Sequence, residues 1–180
     1  KKLIVRELLK AMARQTTKAE LALEGSPYLG DTGAEHVIVE FTDFQCPYCK
    51  LAAKPLKELA KKYGAVLYVK HLPLSHHTFA REAALASLAA DQQGKFWAVY
   101  DAFYANQDRL SSEVIRELVV AAGVDMARFD KDLTSPGLEA LLKRDAQEAD
   151  DIPVDGTPTF FLDGYMVTLE ELELKLREGR

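Results

Sequence analysis

The sequence predicts an α/β protein: a mixed central sheet flanked by helices, interrupted by an inserted all-helical block. Three observations lead there. Two apolar, β-branched runs, HVIVEFTDF at 36–44 and AVLYVKHL at 65–72, bracket a helical stretch at 47–63. That order makes a right-handed βαβ unit with a parallel strand pair. Near the end, TFFL at 159–162 and YMVT at 165–168 flank Asp163-Gly164, a strong hairpin signal. Between the two units, residues 78–150 read as helical throughout.

Each element has a local cause. Residues 1–18 set Val5, Leu8, Leu9 and Met12 at helical spacing among Lys2, Arg6, Lys10 and Arg14, which predicts an amphipathic helix. Glu24-Gly25-Ser26-Pro27 and Gly30-Asp31-Thr32-Gly33 are turn-rich and break regular structure. The apolar run at 36–44 suits a buried central strand. Pro47 falls at the first position of the next helix, where its missing N–H costs nothing. Pro55 lies inside that helix and is expected to kink it, and Gly64 ends it. Helices are then expected at 78–93, 96–106, 111–122, 126–133 and 135–149, with Ser111 and Ser135-Pro136 as opening signals and Gly94 and Gly123 as stops. A last helix runs over 169–177. The expected division is a helical extension at 1–25, a sheet domain at 26–77 and 150–180, and a helical insertion at 78–149.

Composition narrows the function. With 180 residues, 48% of them hydrophobic, the chain can bury the core of one domain carrying a large insertion. A net charge of −5 offers no basic patch for nucleic acid. The longest apolar runs, such as 37–39 and 83–90, are too short to span a bilayer. Position 1 is Lys, so the expectation is a processed or trimmed chain whose signal peptide or anchor lies outside it.

The only two cysteines sit together in Cys46-Pro47-Tyr48-Cys49. A disulfide between them closes too small a loop to restrain an unfolded chain, so the pair points to chemistry. Half of a zinc site is disfavoured, because no second CxxC or well-spaced partner ligand is present; no metal is expected. In disulfide exchange the thiolate is the nucleophile. Cys46, at the start of a helix, feels unsatisfied N–H groups and the positive end of the dipole, which makes it the expected low-pKa attacking thiol. Cys49, one turn in, is expected to be less exposed and to resolve. Pro47 and Tyr48 lie between the sulfurs and are expected to tune the Cys46 pKa and the redox potential. No cofactor is expected beyond a redox-active Cys46–Cys49 disulfide.

Glu40 stands six residues before Cys46 inside an apolar strand. A carboxylate there is expected to be buried, with a raised pKa, and able to take the proton from Cys49; a strand-edge salt bridge without a catalytic role is the alternative. Lys70, on the neighbouring strand, is the expected partner for its charge. Asp43 is the weaker carboxylate, being nearer the exposed strand end. His71, His76 and His77 are expected as solvated loop histidines rather than metal ligands. Phe96, Trp97, Tyr100, Phe103 and Tyr104 form a helix face, expected to pack the insertion, with a substrate groove as the second reading.

Three motifs together resemble a known family. They are VEFTDFQCPYC at 39–49, GKFW at 94–97 with Asn106-Gln107 after it, and GTPTF at 156–160. The chain resembles the thioredoxin fold and, more narrowly, the DsbA-like thiol–disulfide oxidoreductases, which carry a helical domain inside the thioredoxin unit. The resemblance runs from about Ser26 to the C-terminus. It implies a cis-proline turn at Thr157-Pro158 facing the CxxC, leaving the Thr157 backbone free to pair with an extended substrate. It also implies cysteine-containing protein substrates, a membrane partner for reoxidation, and an extracytoplasmic place in a bacterium, periplasm or cell envelope. Oxidation of exported proteins is the expected direction. A disulfide isomerase or reductase is the alternative, toward which Thr157 leans, and a non-enzymatic binding module is the rival from another class. The basic N-terminal helix is expected to dock on the domain or to mediate oligomerisation.

Overall fold

The computed structural model describes residues 17–179 together with Ile4, Val5 and Met12. Most of the helix expected over 1–18 therefore lies outside the described residues. The elements are β1 (Tyr28–Leu29), β2 (Val37–Thr42), α1 (Pro47–Tyr63), β3 (Val66–His71), α2 (Ala80–Asp91), α3 (Phe96–Ala105), a 3-10 turn (Gln107–Arg109), α4 (Ser112–Ala121), α5 (Met126–Leu133), α6 (Pro136–Asp151), β4 (Thr159–Leu162), β5 (Tyr165–Val167) and α7 (Leu169–Glu178).

The strands form one mixed sheet in the order β1-β3-β2-β4-β5. β2 and β3 are parallel, joined through α1, and β4 and β5 are the antiparallel hairpin beside β2. Asp163 and Gly164 both take positive φ, 52° and 89°, as a two-residue hairpin turn of this hand requires. β1 was not expected in the turn-rich stretch. Its two residues pair antiparallel with Tyr68 and Leu67 of β3. Gly30 ends it at φ 105°, where an added Cβ would meet the Ala65 carbonyl oxygen at 2.9 Å. So close a backbone approach explains a glycine there.

Side chains alternate along β2, which gives the sheet two differently built faces. Ile38 packs with Leu56, Leu59 and Ala60 of α1 and with Leu172 and Leu176 of α7. Val39 and Phe41 face the other way, toward Phe161, Ala149 of α6, and Leu21 and Leu23. Helix α1 continues through Pro55 and ends at Gly64 in the left-handed conformation, φ 66°. The helical block is not a separate body. One apolar cluster runs from Phe44, Cys46, Cys49 and Val69 into Phe96, Val99, Phe103, Ile115, Val119 and Phe129.

Helix starts follow their local sequence. Ser111 and Ser135 accept backbone N–H bonds from the first turns of α4 and α6. At α7 the Thr168 hydroxyl accepts from the Glu171 amide at 3.1 Å, and the Glu171 carboxylate accepts from the Thr168 amide at 2.8 Å. This is a reciprocal capping box. Thr168→Ala is expected to cost about 1 kcal/mol and to lower Tm by about 3 °C, read by thermal unfolding at fixed pH.

Candidate active site

β2 delivers the chain to the site, and α1 carries it away. After Thr42 the backbone turns through Asp43, Phe44 and Gln45, and the Cys46 amide donates to the Asp43 carbonyl at 3.0 Å. Cys46 is the N-cap of α1, in extended conformation (φ −77°, ψ 120°), with Pro47 following as the first helical residue. No side chain caps this end, so the first-turn amides are left beside the Cys46 sulfur.

The two thiols differ in setting. Cys46 is 5% exposed and Cys49 0%, so what reaches the pair from outside reaches Cys46. Tyr48 and Leu51, 72% and 71% exposed, make an apolar surface beside it. Cys46 Sγ donates to the Thr157 carbonyl oxygen at 3.3 Å. The Thr157–Pro158 peptide bond is cis. That turn, which the family resemblance implied would face the CxxC, lies directly against Cys46. The Thr157 hydroxyl is buried without a conventional hydrogen-bond partner and lies near enough to Cys49 to favour its thiolate. Burial nevertheless pushes the Cys49 thiol well above its ordinary value, and the Glu40 charge adds to this.

Glu40 is fully buried on the same face of β2 as Thr42. The Tyr100 hydroxyl donates to one carboxylate oxygen at 3.1 Å, and the Thr42 hydroxyl donates to the other at 3.1 Å. Burial raises the Glu40 pKa to about 7, and the two hydroxyls hold it back from going higher. A group of that pKa exchanges protons readily near neutral pH.

Lys70 is not its partner. Parallel register sets Glu40 opposite Val69 and Phe41 opposite Lys70, so the lysine projects from the other face of the sheet. There it pairs with Asp145 at 2.9 Å and Glu148 at 2.5 Å, both on α6. A buried cation thus ties helix to sheet, with the sheet's own thickness between it and the thiols. The expected tuning of the site by Lys70 through a Glu40 pair is corrected accordingly.

Asp43 is buried and fully used as a loop organiser. It accepts from the Gln45 amide at 2.7 Å and the Leu74 amide at 2.8 Å, and it pairs with His77 Nδ1 at 2.7 Å. The histidines divide. His76 is exposed, as expected, while His77 is held by Asp43. His71 is a core residue, 1% exposed, with Nε2 3.1 Å from Ser87 Oγ. Burial lowers its pKa to about 4, so it stays neutral.

Four residues around the thiols and Glu40 had no chemical role in the sequence reading. Gln107 donates to the Phe44 carbonyl at 2.8 Å and the Cys46 carbonyl at 2.9 Å, clamping the loop from the helical block. Tyr100, Tyr104 and Thr42 form the hydroxyl shell around Glu40. The signal was faint: Tyr100 and Tyr104 stand four apart on a helix, which puts both hydroxyls on one face. The aromatic face otherwise packs as expected, with Phe96, Tyr100, Phe103 and Tyr104 buried. Trp97 is half-buried, and its Nε1 donates to the Tyr28 carbonyl at 2.8 Å.

A family model described as thioredoxin matches residues 22–176. The chain belongs to the thioredoxin family. Among solved structures, this thioredoxin-family chain is similar to the thiol–disulfide exchange protein α-DsbA2 of Wolbachia pipientis. The TM-score is 0.80 at 21% identity, covering 87% of this chain and 88% of that one. It is also similar to a thioredoxin-like oxidoreductase of Silicibacter pomeroyi, with a TM-score of 0.76 at 25% identity over 87% of this chain and 93% of that one. Its fold is therefore the DsbA-like form of the thioredoxin fold. By sequence it is 38% identical over 137 residues to the Na(+)/H(+) antiporter NhaA 3 of Salinispora tropica, covering 75% of this chain and 21% of that protein. The chain spans about a fifth of the length of the curated relatives it matches.

Proposed function

We propose that the chain is a thiol–disulfide oxidoreductase working through Cys46 and Cys49, in the direction that introduces disulfides into exported proteins. One observation carries this: a sulfur at a helix N-terminus, the less buried of the pair, 3.3 Å from the carbonyl before a cis-proline, with a fully buried second sulfur one turn away. Cys46 exchanges with substrate, Cys49 resolves, and Glu40 supplies or takes the Cys49 proton. Pro47 and Tyr48 shape the surroundings of Cys46, and the Thr157–Pro158 backbone lies where an extended substrate pairs beside it. No cofactor is proposed beyond the Cys46–Cys49 disulfide.

The proposed substrates are cysteine-containing proteins in the bacterial periplasm or cell envelope, where an oxidising milieu preserves their disulfides, and a membrane partner reoxidises the pair. Among the described residues, no helix is long and apolar enough to cross a membrane. Ion transport is not carried over from the antiporter relatives, since the match covers about a fifth of each.

The test is a glutathione redox titration of the Cys46–Cys49 pair alongside oxidative refolding of a reduced protein substrate. Accelerated refolding and a potential well above that of thioredoxin are expected. A potential near about −270 mV would reverse the direction to reductase or isomerase. Unreactive thiols would reduce the chain to a binding module.

A further inference from the structure

Thr42 lies between the resolving thiol and the buried acid. It is 0% exposed and ends β2, two residues after Glu40 and so on the same face of the strand. A hydroxyl has one hydrogen to donate and two lone pairs to accept with. The Thr42 hydrogen goes to Glu40 Oε1 at 3.1 Å. Tyr104 OH lies 2.6 Å from Thr42 Oγ1; with the Thr42 hydrogen already committed, Tyr104 donates. Cys49 lies near enough for the Thr42 hydroxyl to favour its thiolate, while Glu40 opposes that thiolate through its charge. Tyr100 holds the other oxygen of Glu40, so the carboxylate cannot turn away from Thr42 without losing a bond. The titratable groups around this point are Glu40 on β2, Cys49 on α1, and Tyr100 and Tyr104 on α3.

We propose that the Thr42 hydroxyl carries the proton between the Cys49 thiol and the Glu40 carboxyl group, with Tyr104 fixing its orientation. The proposal rests on disulfide exchange at Cys46–Cys49. In the oxidising direction a substrate thiolate attacks Cys46 Sγ. The substrate–Cys46 bond forms as the Cys46–Cys49 bond breaks, and the electron pair leaves on Cys49. Thr42 gives its hydroxyl hydrogen to Cys49 and takes the carboxyl proton of Glu40. A second substrate thiolate then attacks the substrate sulfur, releasing Cys46 as thiolate and the substrate as its disulfide. When Cys49 instead resolves a mixed disulfide, its proton runs to Thr42 while the Thr42 hydrogen moves to Glu40. In this step Thr42 hands a proton to the reacting sulfur and is in that sense catalytic; Tyr104 is a positioning residue.

The experiment follows formation and resolution of a mixed disulfide with glutathione by rapid mixing, in wild type, T42V, T42S, Y104F, E40Q and E40Q/T42V. With reduced enzyme mixed with oxidised glutathione, T42V is expected to slow resolution about tenfold, below the full range for losing an acid–base group, with mixed-disulfide formation by Cys46, a step in which Cys49 takes no part, unchanged. T42S restores the hydroxyl and is expected to stay within about twofold of wild type. In a shared path the losses do not multiply, so E40Q/T42V resolves no slower than E40Q. Should T42V fail to fold, Y104F reads the same step and is expected to slow it severalfold. Wild-type resolution rates in T42V or, in its place, Y104F, or multiplied losses in the double variant, would overturn the relay. A wild-type chain with no exchange at all would sink the exchange chemistry itself, a result distinct from slow resolution in an active enzyme.

Discussion

Cys46→Ser is expected to bring thiol–disulfide exchange down to the uncatalysed rate, while Cys49→Ser is expected to arrest it part-way, with substrate joined to Cys46. The two cysteines are close in sequence but not equivalent in space. Cys46 has the less buried sulfur, close in sequence to exposed Tyr48 and Leu51 and against the Thr157 carbonyl. Cys49 lies on the buried face of α1, and burial holds it as a thiol. An incoming thiolate therefore meets Cys46, and removing that sulfur removes the electrophile in the oxidised enzyme and the nucleophile in the reduced one. Without Cys49 the first exchange still proceeds from the reduced form toward a disulfide substrate, but no internal thiol displaces the bound partner. Non-reducing electrophoresis after mixing with a disulfide-bonded substrate reads this directly: a covalent adduct that accumulates with Cys49→Ser and is absent with Cys46→Ser. The assignment of attacker and resolver fails if the adduct forms instead with Cys46→Ser.

What sequence revealed and what it hid follow the range of the interaction concerned. The hairpin at Asp163-Gly164 was legible because two adjacent residues with positive φ determine it. The openings of α4 and α6 were legible because Ser111 and Ser135 act on amides two or three residues away. The CxxC at the mouth of a helix was legible for the same reason. Lys70 misled because a charge in a strand reads alike whichever face it points to. Its face is set by the parallel register that places it opposite Phe41, and its partner Asp145 lies on α6, 75 residues on. His71 misled because the end of β3 reads as a loop start, whereas Ser87, Phe44 and Phe96 enclose the ring. Glu40 was legible as a buried acid, since a lone carboxylate in VIVEFT has apolar neighbours on both sides. Its partners were not, because Tyr100 comes from a helix 60 residues away. Nothing local in a tyrosine tells whether its hydroxyl meets water or a buried carboxylate.

Wild-type stability is expected to be nearly flat between about pH 4.5 and 6.5 as far as Glu40 and His71 determine it, because their titrations oppose each other. Glu40 has a folded pKa of about 7 against an ordinary 4.5. Between those values the folded state holds a proton that the unfolded chain has released. The contribution is full below pH 4.5 and is lost as pH rises through 7. His71 has a folded pKa of about 4 against an ordinary 6.5. Below 6.5 the unfolded chain takes up a proton that the folded state refuses, so this contribution is full above 6.5 and is lost as pH falls through 4. At about 1.4 kcal/mol per pH unit, each amounts to about 3 kcal/mol across its window, with opposite signs. Glu40→Gln keeps the shape, with one hydroxyl turning to accept from the amide N–H, but removes one side of the balance. Its stability is expected to rise with pH from 4 to 6.5, at about 1.4 kcal/mol per unit, and to exceed wild type by about 3 kcal/mol at pH 8. Replacing His71 leaves the other side, with stability falling from pH 4.5 to 7. Denaturant unfolding across this pH range measures all three profiles, and parallel profiles for wild type and Glu40→Gln would refute the buried-acid assignment. The gain expected at pH 8 is also the cost of the site. An ionised carboxylate beneath Cys49 is unfavourable for the fold, and for that reason it binds a proton near neutral pH, where a resolving thiol must release one.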